Sequence, residues 1–448
     1  MTTQTTSLDA TVAFLEKLAA DPSTSIADFI VDEQLRKRLL SACQKVIPEL
    51  ETSAEACQRF LYSVSLPSNK TGCSYLTRGP PLSQPLSTYD MLSLTLFSQK
   101  TLELPVARIA VDLDIFNLLK DSSTPLTTEE LATRTGKNPD IKLLARILRY
   151  LASLRFIREV GTGVWAASHL GINLSGEGQG AGVAAMVDNC SLAMITLPSF
   201  LHQHTYSPPD TKSDTAFAQG NRVGPEETTF FDWLRNRPEN AKVFNVFMTS
   251  HRTGVKTWLD RPEVIKDITD AFAKVTAGTD QEKGVSFVDI GGGIGHQCKA
   301  FKKQIPDLKG KIVLEDLEEV VATAEPEDGI EKVAVDFLKS QPIKGAASYY
   351  FRSVLRNWPD QYAQVILGNV RDAMNEHSLL LIDELVLPDQ GAHRYETQLD
   401  LTMLAMLNAE ARTKAHWEKL LADVGFEVKK IVLYEEEARE AIIIAKKV

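Results

Sequence analysis

The chain has 448 residues, a formal net charge of −10 at pH 7, a pI near 5.5 and five cysteines. That length allows two or three domains and a sizeable core, and the acidic balance argues against nucleic acid, whose recognition begins with a basic face. No apolar run of about 18 residues marks a membrane span. The N-terminus, Met1 to Leu18, lacks the basic-then-apolar pattern of a secretory signal, so a cytoplasmic protein is expected. Cys43, Cys57, Cys73, Cys190 and Cys298 are scattered and without metal spacing, which reads as reduced, mostly buried thiols and no metal site.

In chain order, amphipathic helical stretches come first, at Leu8 to Leu18 and Ile26 to Ile47. The Ser-, Gly- and Pro-rich segment Pro67 to Pro85 reads as a linker. Met91 to Leu119 predicts one or two helices broken at Pro105. Thr127, followed by Glu129 and Glu130, caps a short helix that stops near Gly136. Asn138-Pro139-Asp140 starts another, running through Leu154. Phe156 to Trp165 reads as a hairpin turning at Gly161 to Gly163. Helix, helix, helix, hairpin is a winged-helix plan. Residues 170–260 predict helical connectors. From about 280, apolar strand-like runs alternate with helical stretches: Ser286 to Ile290, Lys311 to Leu314, Ser348 to Phe351, Ser378 to Ile382 and Ala441 to Ala445. That alternation predicts an α/β unit built on a parallel sheet with helices on both faces. No internal repeat or low-complexity tract interrupts the chain.

Two features of this last region carry chemistry. The strand ending in Asp289-Ile290 runs into Gly291-Gly292-Gly293-Ile294-Gly295, where glycines let the backbone approach a ligand at the switch point of the sheet. The following strand ends in Glu315-Asp316-Leu317, about twenty-five residues after the glycines, and an acid there suits two ribose hydroxyls. Nicotinamide and flavin folds use similar turns, so these residues alone leave the nucleotide open.

About sixty residues after the glycine turn stands Arg352-Ser353-Val354-Leu355-Arg356-Asn357-Trp358-Pro359-Asp360. Together the two stretches resemble the small-molecule O-methyltransferases of plants and fungi, over roughly residues 88–448 and most specifically over 285–420. The resemblance implies a Rossmann-like C-terminal domain binding S-adenosylmethionine (SAM), behind an N-terminal helical, winged-helix-like dimerisation domain. The expected division is 1–75 for an N-terminal helical extension and linker, 76–215 for dimerisation and 216–448 for the cofactor. It also implies a homodimer. Cofactor contacts carried over are Asp289, Gly291, Gly292, Gly293, Asp316 and Leu317 (the family's Asp-Leu-Pro, with Glu318 for the proline), Asp336 and Phe337 beside the adenine, and Arg352 near the nucleoside.

The catalytic positions depart from the family. Its members read His-Asp-Trp where this chain has Arg356-Asn357-Trp358, and the histidine takes the proton from the substrate hydroxyl. An arginine stays protonated and cannot be a general base. Glu384 keeps the first of two orienting glutamates, but Ala411 replaces the second. Glu410 stands one residue away, and on a helix it would point about 100° elsewhere. His251 is the candidate substitute base, while His202 and His204 read as surface or interface residues.

With this pattern the chain looks like the O-methyltransferase-like pericyclases of fungal secondary metabolism, which dehydrate 2-pyridone alcohols to quinone methides and close a ring by hetero-Diels–Alder or Alder-ene reaction. By that resemblance Arg356 holds the pyridone oxygen, Asn357 tunes its surroundings, and Glu384 or His251 helps move the proton. The bound SAM lends charge without losing its methyl group. Trp233, Phe247, Met248, Met403 and Met406 are the expected lining of the pocket for a small polyketide–nonribosomal-peptide-type substrate. The alternatives are a methyltransferase with a rearranged base and an inactive SAM-binding partner protein.

Overall fold

The computed structural model of the chain describes residues 100–448 except 210, 225, 228, 251–255, 393 and 436–438. The helical stretches before residue 70, the Pro67–Pro85 linker, most of the Met91 stretch, Cys43, Cys57, Cys73 and His251 lie outside the described residues. The chain forms two compact units, divided between Val187 and Asp188.

In the first unit, helix α1 spans Glu103–Asp112 and α2 spans Ile115–Lys120. Pro105 does not break the chain as expected. It sits in the first turn of α1, where a missing N–H removes no intrahelical bond. The break falls at Asp114, in the left-handed region with φ 57°. Strand β1 (Leu126–Thr127) leads into α3 (Thr128–Arg134), started by a reciprocal cap: the Glu130 N–H donates to Thr127 Oγ1 at 3.2 Å, and the Thr127 N–H to Glu130 Oε2 at 2.7 Å. Asp140 caps α4 (Ile141–Ser153) by accepting from the Leu143 N–H at 2.8 Å. The hairpin is formed by β2 (Ile157–Gly161) and β3 (Val164–Ala167), with Gly163 at φ +70°. β1 pairs antiparallel with β3, completing the three-stranded wing. Trp165, buried on β3, donates its indole N–H to Thr128 Oγ1 at 3.0 Å and so ties the wing to α3. Helices α5 (His169–Leu174) and α6 (Glu177–Ala184) follow.

The second unit begins with α7 (Ser191–Gln203), α8 (Ala216–Asn221), α9 (Phe230–Arg235) and α10 (Pro238–Ser250), the expected connectors. Then come α11 (Pro262–Val275), β4 (Val285–Ile290), α12 (His296–Gln304), β5 (Lys311–Asp316), β6 (Ile330–Ala334) and β7 (Ser348–Arg352). The chain continues through α13 (Asp360–Ala373), β8 (Leu379–Leu385), α14 (Arg394–Leu407), α15 (Lys414–Asp423), β9 (Phe426–Glu435) and β10 (Glu440–Lys447). The seven strands lie in the order β6-β5-β4-β7-β8-β10-β9. Five are parallel, but β10 runs antiparallel to both β8 and β9. The expected parallel sheet is present over these five strands, and Ala441 to Ala445, counted with it, runs the other way, so the sheet as a whole is mixed. The hairpin β9–β10 inserts its second strand beside β8, which reverses the direction of Ala441 to Ala445. Helices α13 and α15 cover one face, with Ile366, Leu367, Trp417 and Leu421 against Val288, Val313, Phe351 and Ile382. Helices α11 and α12 cover the other, with Val264, Ile268 and Phe301 against Phe287, Leu314, Tyr350 and Leu381. Burying both faces accounts for the near-continuous apolar runs of the inner strands.

The sequence division at 215/216 and the division at 187/188 differ because α7 and α8 pack against each other and against α14, within the second unit. Among the described residues one stretch, Glu177–Gln203, is long and apolar enough to cross a membrane by length and composition, against the expectation of none. It carries Asp188 and Pro198, and 44% of its most apolar window is buried inside the protein.

Candidate active site

The C-terminal ends of the parallel strands are where an open α/β sheet binds its ligands, and the two sequence features meet there. β4 runs into a turn with Gly291 at φ +71° and Gly293 at φ +60°. The N–H groups of Gly291 and Gly292 donate to the Glu315 carbonyl at 2.8 and 3.1 Å, locking the turn to the end of β5. A Cβ on Gly292 would lie 2.5 Å from the Asp289 carboxyl and 2.6 Å from Leu314, so no side chain fits. A Cβ on Gly293 would meet nothing within 4 Å, leaving open space at the mouth of the turn. Asp316 accepts from the Gly293 N–H through Oδ2 and from the Leu317 N–H through Oδ1, both at 2.8 Å. Burial raises its pKa, opposed by these two bonds. A carboxylate has about four acceptor sites, so two bonds leave capacity for two hydroxyls. The Phe337 ring lies against Gly291 and meets Trp358 edge-on, with centroids 5.8 Å apart. Open turn, acid and aromatic wall together fit an adenosyl group.

The other expected cofactor residues take different places. Asp336 bonds the Leu338 N–H at 3.1 Å and pairs with Lys339 at 3.1 Å near the surface. Asp289 is buried beneath the turn, where burial pushes its carboxyl up to about 7 and the Cys298 thiol donates to it at 3.5 Å. Arg352 turns to Asp383, with Nη1 3.2 Å from Oδ2. Burial works against its charge, and Asp383 with neighbouring groups outweighs this, holding the guanidinium above its ordinary value. Asp383 also accepts from the hydroxyls of Tyr350 at 2.6 Å and Tyr434 at 2.5 Å. This buried network has no counterpart in the sequence reading. Its members lie on three strands, β7, β8 and β9, so only their pairing brings them together.

At the end of β7 the chain makes a 3-10 turn over Leu355–Asn357, entered through Ser353 at φ +54°. The Ser353 N–H donates to the Asp383 carbonyl at 3.1 Å, and Asn357 Nδ2 donates back to the Ser353 carbonyl at 2.9 Å. Glu384, buried on β8, accepts the Arg356 backbone N–H at 3.3 Å and lies 3.6 Å from Arg356 Nε through its second oxygen. The Arg356 side chain is 13% exposed, and its Nη1 is buried without a hydrogen-bond partner among the described residues. A buried donor left unmatched costs roughly 1–3 kcal/mol. An incoming oxygen would recover that.

Ala411, at the position of the second glutamate, is buried, and its N–H donates to Asp400 Oδ1 at 2.8 Å. Helix α14 ends at Leu407 and Asn408 adopts φ 51°, so residues 408–412 are not helical. Glu410 points to His416, with Oε2 3.5 Å from Nδ1. Of the expected pocket residues, Phe247 and Met406 are buried, Met403 is half-buried and Met248 is 39% exposed. Trp233 belongs to an aromatic cluster with Phe217 and Phe230, capped by the Arg237 guanidinium 4.5 Å from its ring. His204 pairs with Asp214 at 3.4 Å and lies tilted against the Phe200 ring, while His202 is exposed.

Comparison with known proteins places the chain among relatives. An O-methyltransferase domain profile matches residues 263–427, and an O-methyltransferase dimerisation domain profile matches residues 103–173. The chain is 34% identical to 16-O-methyltransferase bsc6 of Alternaria brassicicola over 75% of its own length and 82% of that protein's. It is 32% identical to O-methyltransferase lepI of Aspergillus flavus over 79% of its own length and 87% of that protein's. Among solved structures, one described as a pericyclic reaction enzyme superposes with a TM-score of 0.71 at 27% identity, over 98% of this chain and 100% of that one.

Proposed function

The chain belongs to the O-methyltransferase family, and on that footing we propose that it binds SAM, keeps the methyl group on it, and acts as a pericyclase on a 2-pyridone alcohol. One observation carries this reading: an arginine whose buried Nη1 has no partner among the described residues stands where the family keeps its general base, and Glu384 braces it. The likeness to a pericyclic reaction enzyme and to LepI, which has been solved with SAM, supports it.

The glycine turn, Asp316 and Phe337 would hold the adenosyl group, and SAM when bound would supply a fixed sulfonium charge beside the substrate. Arg356 donates from Nη1 to the pyridone oxygen, where negative charge develops as the ring hydroxyl gives up its proton, before the alcohol's C–O bond breaks. A preorganised donor of this kind contributes about 2.7–4 kcal/mol to a transition state. Overall the alcohol loses its hydroxyl and the ring hydroxyl loses its proton. The two leave as water, and a quinone methide remains. Glu384 or His251 relays that proton. Ring closure then moves electrons without releasing any atom, so it asks for orientation more than for acid–base groups. The half-buried side of α14 at Met403 and the neighbouring aromatic cluster would supply the shape, and residues 103–173 the contact for a homodimer.

Surviving methyl transfer is the second reading, favoured by the 34% identity to bsc6. It requires a base other than Arg356, for which His251 is the candidate. Mass spectrometry with SAM carrying a deuterated methyl group, incubated with 2-pyridone alcohols, separates the two. Loss of water with unlabelled product and unconsumed SAM is the expected result. Labelled product, with demethylated cofactor in equal amount, would overturn the proposal.

A further inference from the structure

We propose that Arg412 is a positioning residue that holds the Arg356 turn in its working geometry; this rests on the reading of Arg356 above. The Arg412 side chain is fully buried. Its Nη1 donates to the Leu355 carbonyl at 3.0 Å and its Nη2 to the Trp358 carbonyl at 2.8 Å. These carbonyls bracket Arg356 and Asn357, so a single guanidinium grips the turn at both ends. Its Nε donates to Asp360 Oδ1 at 2.9 Å, and its plane lies over Trp417 with the centroid 5.0 Å away. The backbone around it is tied too: the Leu387 N–H donates to the Arg412 carbonyl at 3.1 Å, joining this segment to the chain just beyond Glu384. Arg356 is thus braced through its side chain by Glu384 and through its turn by Arg412.

Asp360 completes the clasp. Its Oδ2 lies 2.7 Å from His416 Nε2. Burial acts to raise its pKa, and the His416 and Arg412 contacts outweigh this to hold it below the usual carboxylate range. Asp360, Glu410 and His416 bring potential ligand atoms within 4.8 Å of one another, but the Arg412 cation already occupies the Asp360 carboxylate. The group reads as a charge clasp around Arg412. A planar fork suits this job, because its three nitrogens reach acceptors set apart around the plane, whereas a lysine's three donors all radiate from one atom.

Arg412→Lys, Asp360→Asn, Arg356→Ala and the double variant Arg356→Ala/Arg412→Lys would be assayed on a 2-pyridone alcohol, with SAM affinity measured by calorimetry. A shift of about 1 Å at a catalytic group costs on the order of 100-fold. Arg412→Lys is therefore expected to lower kcat ~10–100-fold, with KM and SAM affinity within about twofold of the parent. The double variant should be no slower than Arg356→Ala alone, because the clasp acts only through Arg356. If Arg412→Lys does not fold, Asp360→Asn, which keeps the shape and removes the charge, should show a smaller fall of the same kind. A folded variant at either position with parental kcat overturns the proposal, as does full additivity in the double variant. Parental turnover by Arg356→Ala overturns the reading of Arg356 itself, whereas an inactive Arg356→Ala beside a fully active Arg412→Lys overturns only the clasp.

Discussion

At the glycine turn, backbone and side chains answer one another: Asp316 accepts two amides, the Glu315 carbonyl accepts two more, and Asp289 lies covered beneath. At the Arg356 turn, one strand over, the scaffold is braced as firmly, yet the guanidinium it presents keeps a buried N–H without an acceptor among the described residues. The first region is arranged so that ligand hydroxyls join bonds already formed. On the proposed reading, the second holds a donor kept for a substrate oxygen. Such a difference separates a site that recognises a constant partner from one that acts on a changing one. On the proposed reading, a transferase scaffold here gives up its base without losing order. The Arg412 contacts run to backbone carbonyls and Glu384 also accepts the backbone N–H of residue 356, so these bonds do not depend on which side chain occupies position 356; only the 3.6 Å approach of Glu384 to Nε does.

The comparison breaks most visibly through a pair of substitutions. Arg356→Ala is expected to lower turnover ~10²–10³-fold, the range for removal of one preorganised donor, with SAM affinity within about twofold. Asp316→Ala should do the reverse. Losing hydrogen bonds to a charged group costs about 1.5–3 kcal/mol, which is ~10–100-fold in SAM affinity, and saturating SAM should restore most of the turnover. Calorimetry and single-turnover kinetics on both variants read this directly. If Asp316→Ala binds SAM as the parent does, the ribose site has been misplaced. If Arg356→Ala loses SAM and turnover together, the two regions are not separable.

Local chemistry made much of the fold legible. The Thr127 cap with Glu130, the Asp140 cap and the Gly163 hairpin depend on neighbours within a few residues, and each formed where its sequence placed it. The inner strands showed as apolar runs because both faces are covered. Strands β6 and β9 escaped notice for the opposite reason. Edge strands that carry Glu331 and Lys332, or Glu427, Lys429 and Lys430, lack a continuous apolar pattern. The reversal of β10 is a property of its pairing, which no single segment encodes. At the site, Arg356 and Glu384 stood out as departures from and matches to a pattern, but their 3.6 Å approach depends on β7 and β8 lying side by side. Arg412 was visible only as a landmark beside Ala411. Its complete burial and its grip on two distant carbonyls are products of the tertiary fold.

The cofactor end also contains one exception to its own saturation, and it yields the smallest of the expected effects. Glu315 precedes Asp316 on β5, so its side chain points to the opposite face of the sheet. There it is fully buried, accepts from Gln341 Nε2 at 2.7 Å through one oxygen, and has no partner for the other among the described residues. Burial pushes its pKa from 4.5 up to about 7, with Gln341 opposing. The folded chain therefore holds this proton more tightly than the unfolded chain does. Between about pH 4.5 and 7 the native state binds more protons, so stability falls as pH rises through that window and levels off above it. Glu315→Gln removes the ionisation and keeps the shape. Its denaturation midpoint should match the parent near pH 5 and exceed it at pH 8, by on the order of 1–3 kcal/mol. Asp289, also pushed up to about 7, contributes a slope of the same sign and should leave the variant with a residual decline. Equal stabilities of parent and variant at pH 8 would mean that water or a relaxed side chain already solvates Glu315. The glycine-turn end would then be as fully satisfied as its backbone bonds suggest, and the contrast with Arg356 would be sharper still.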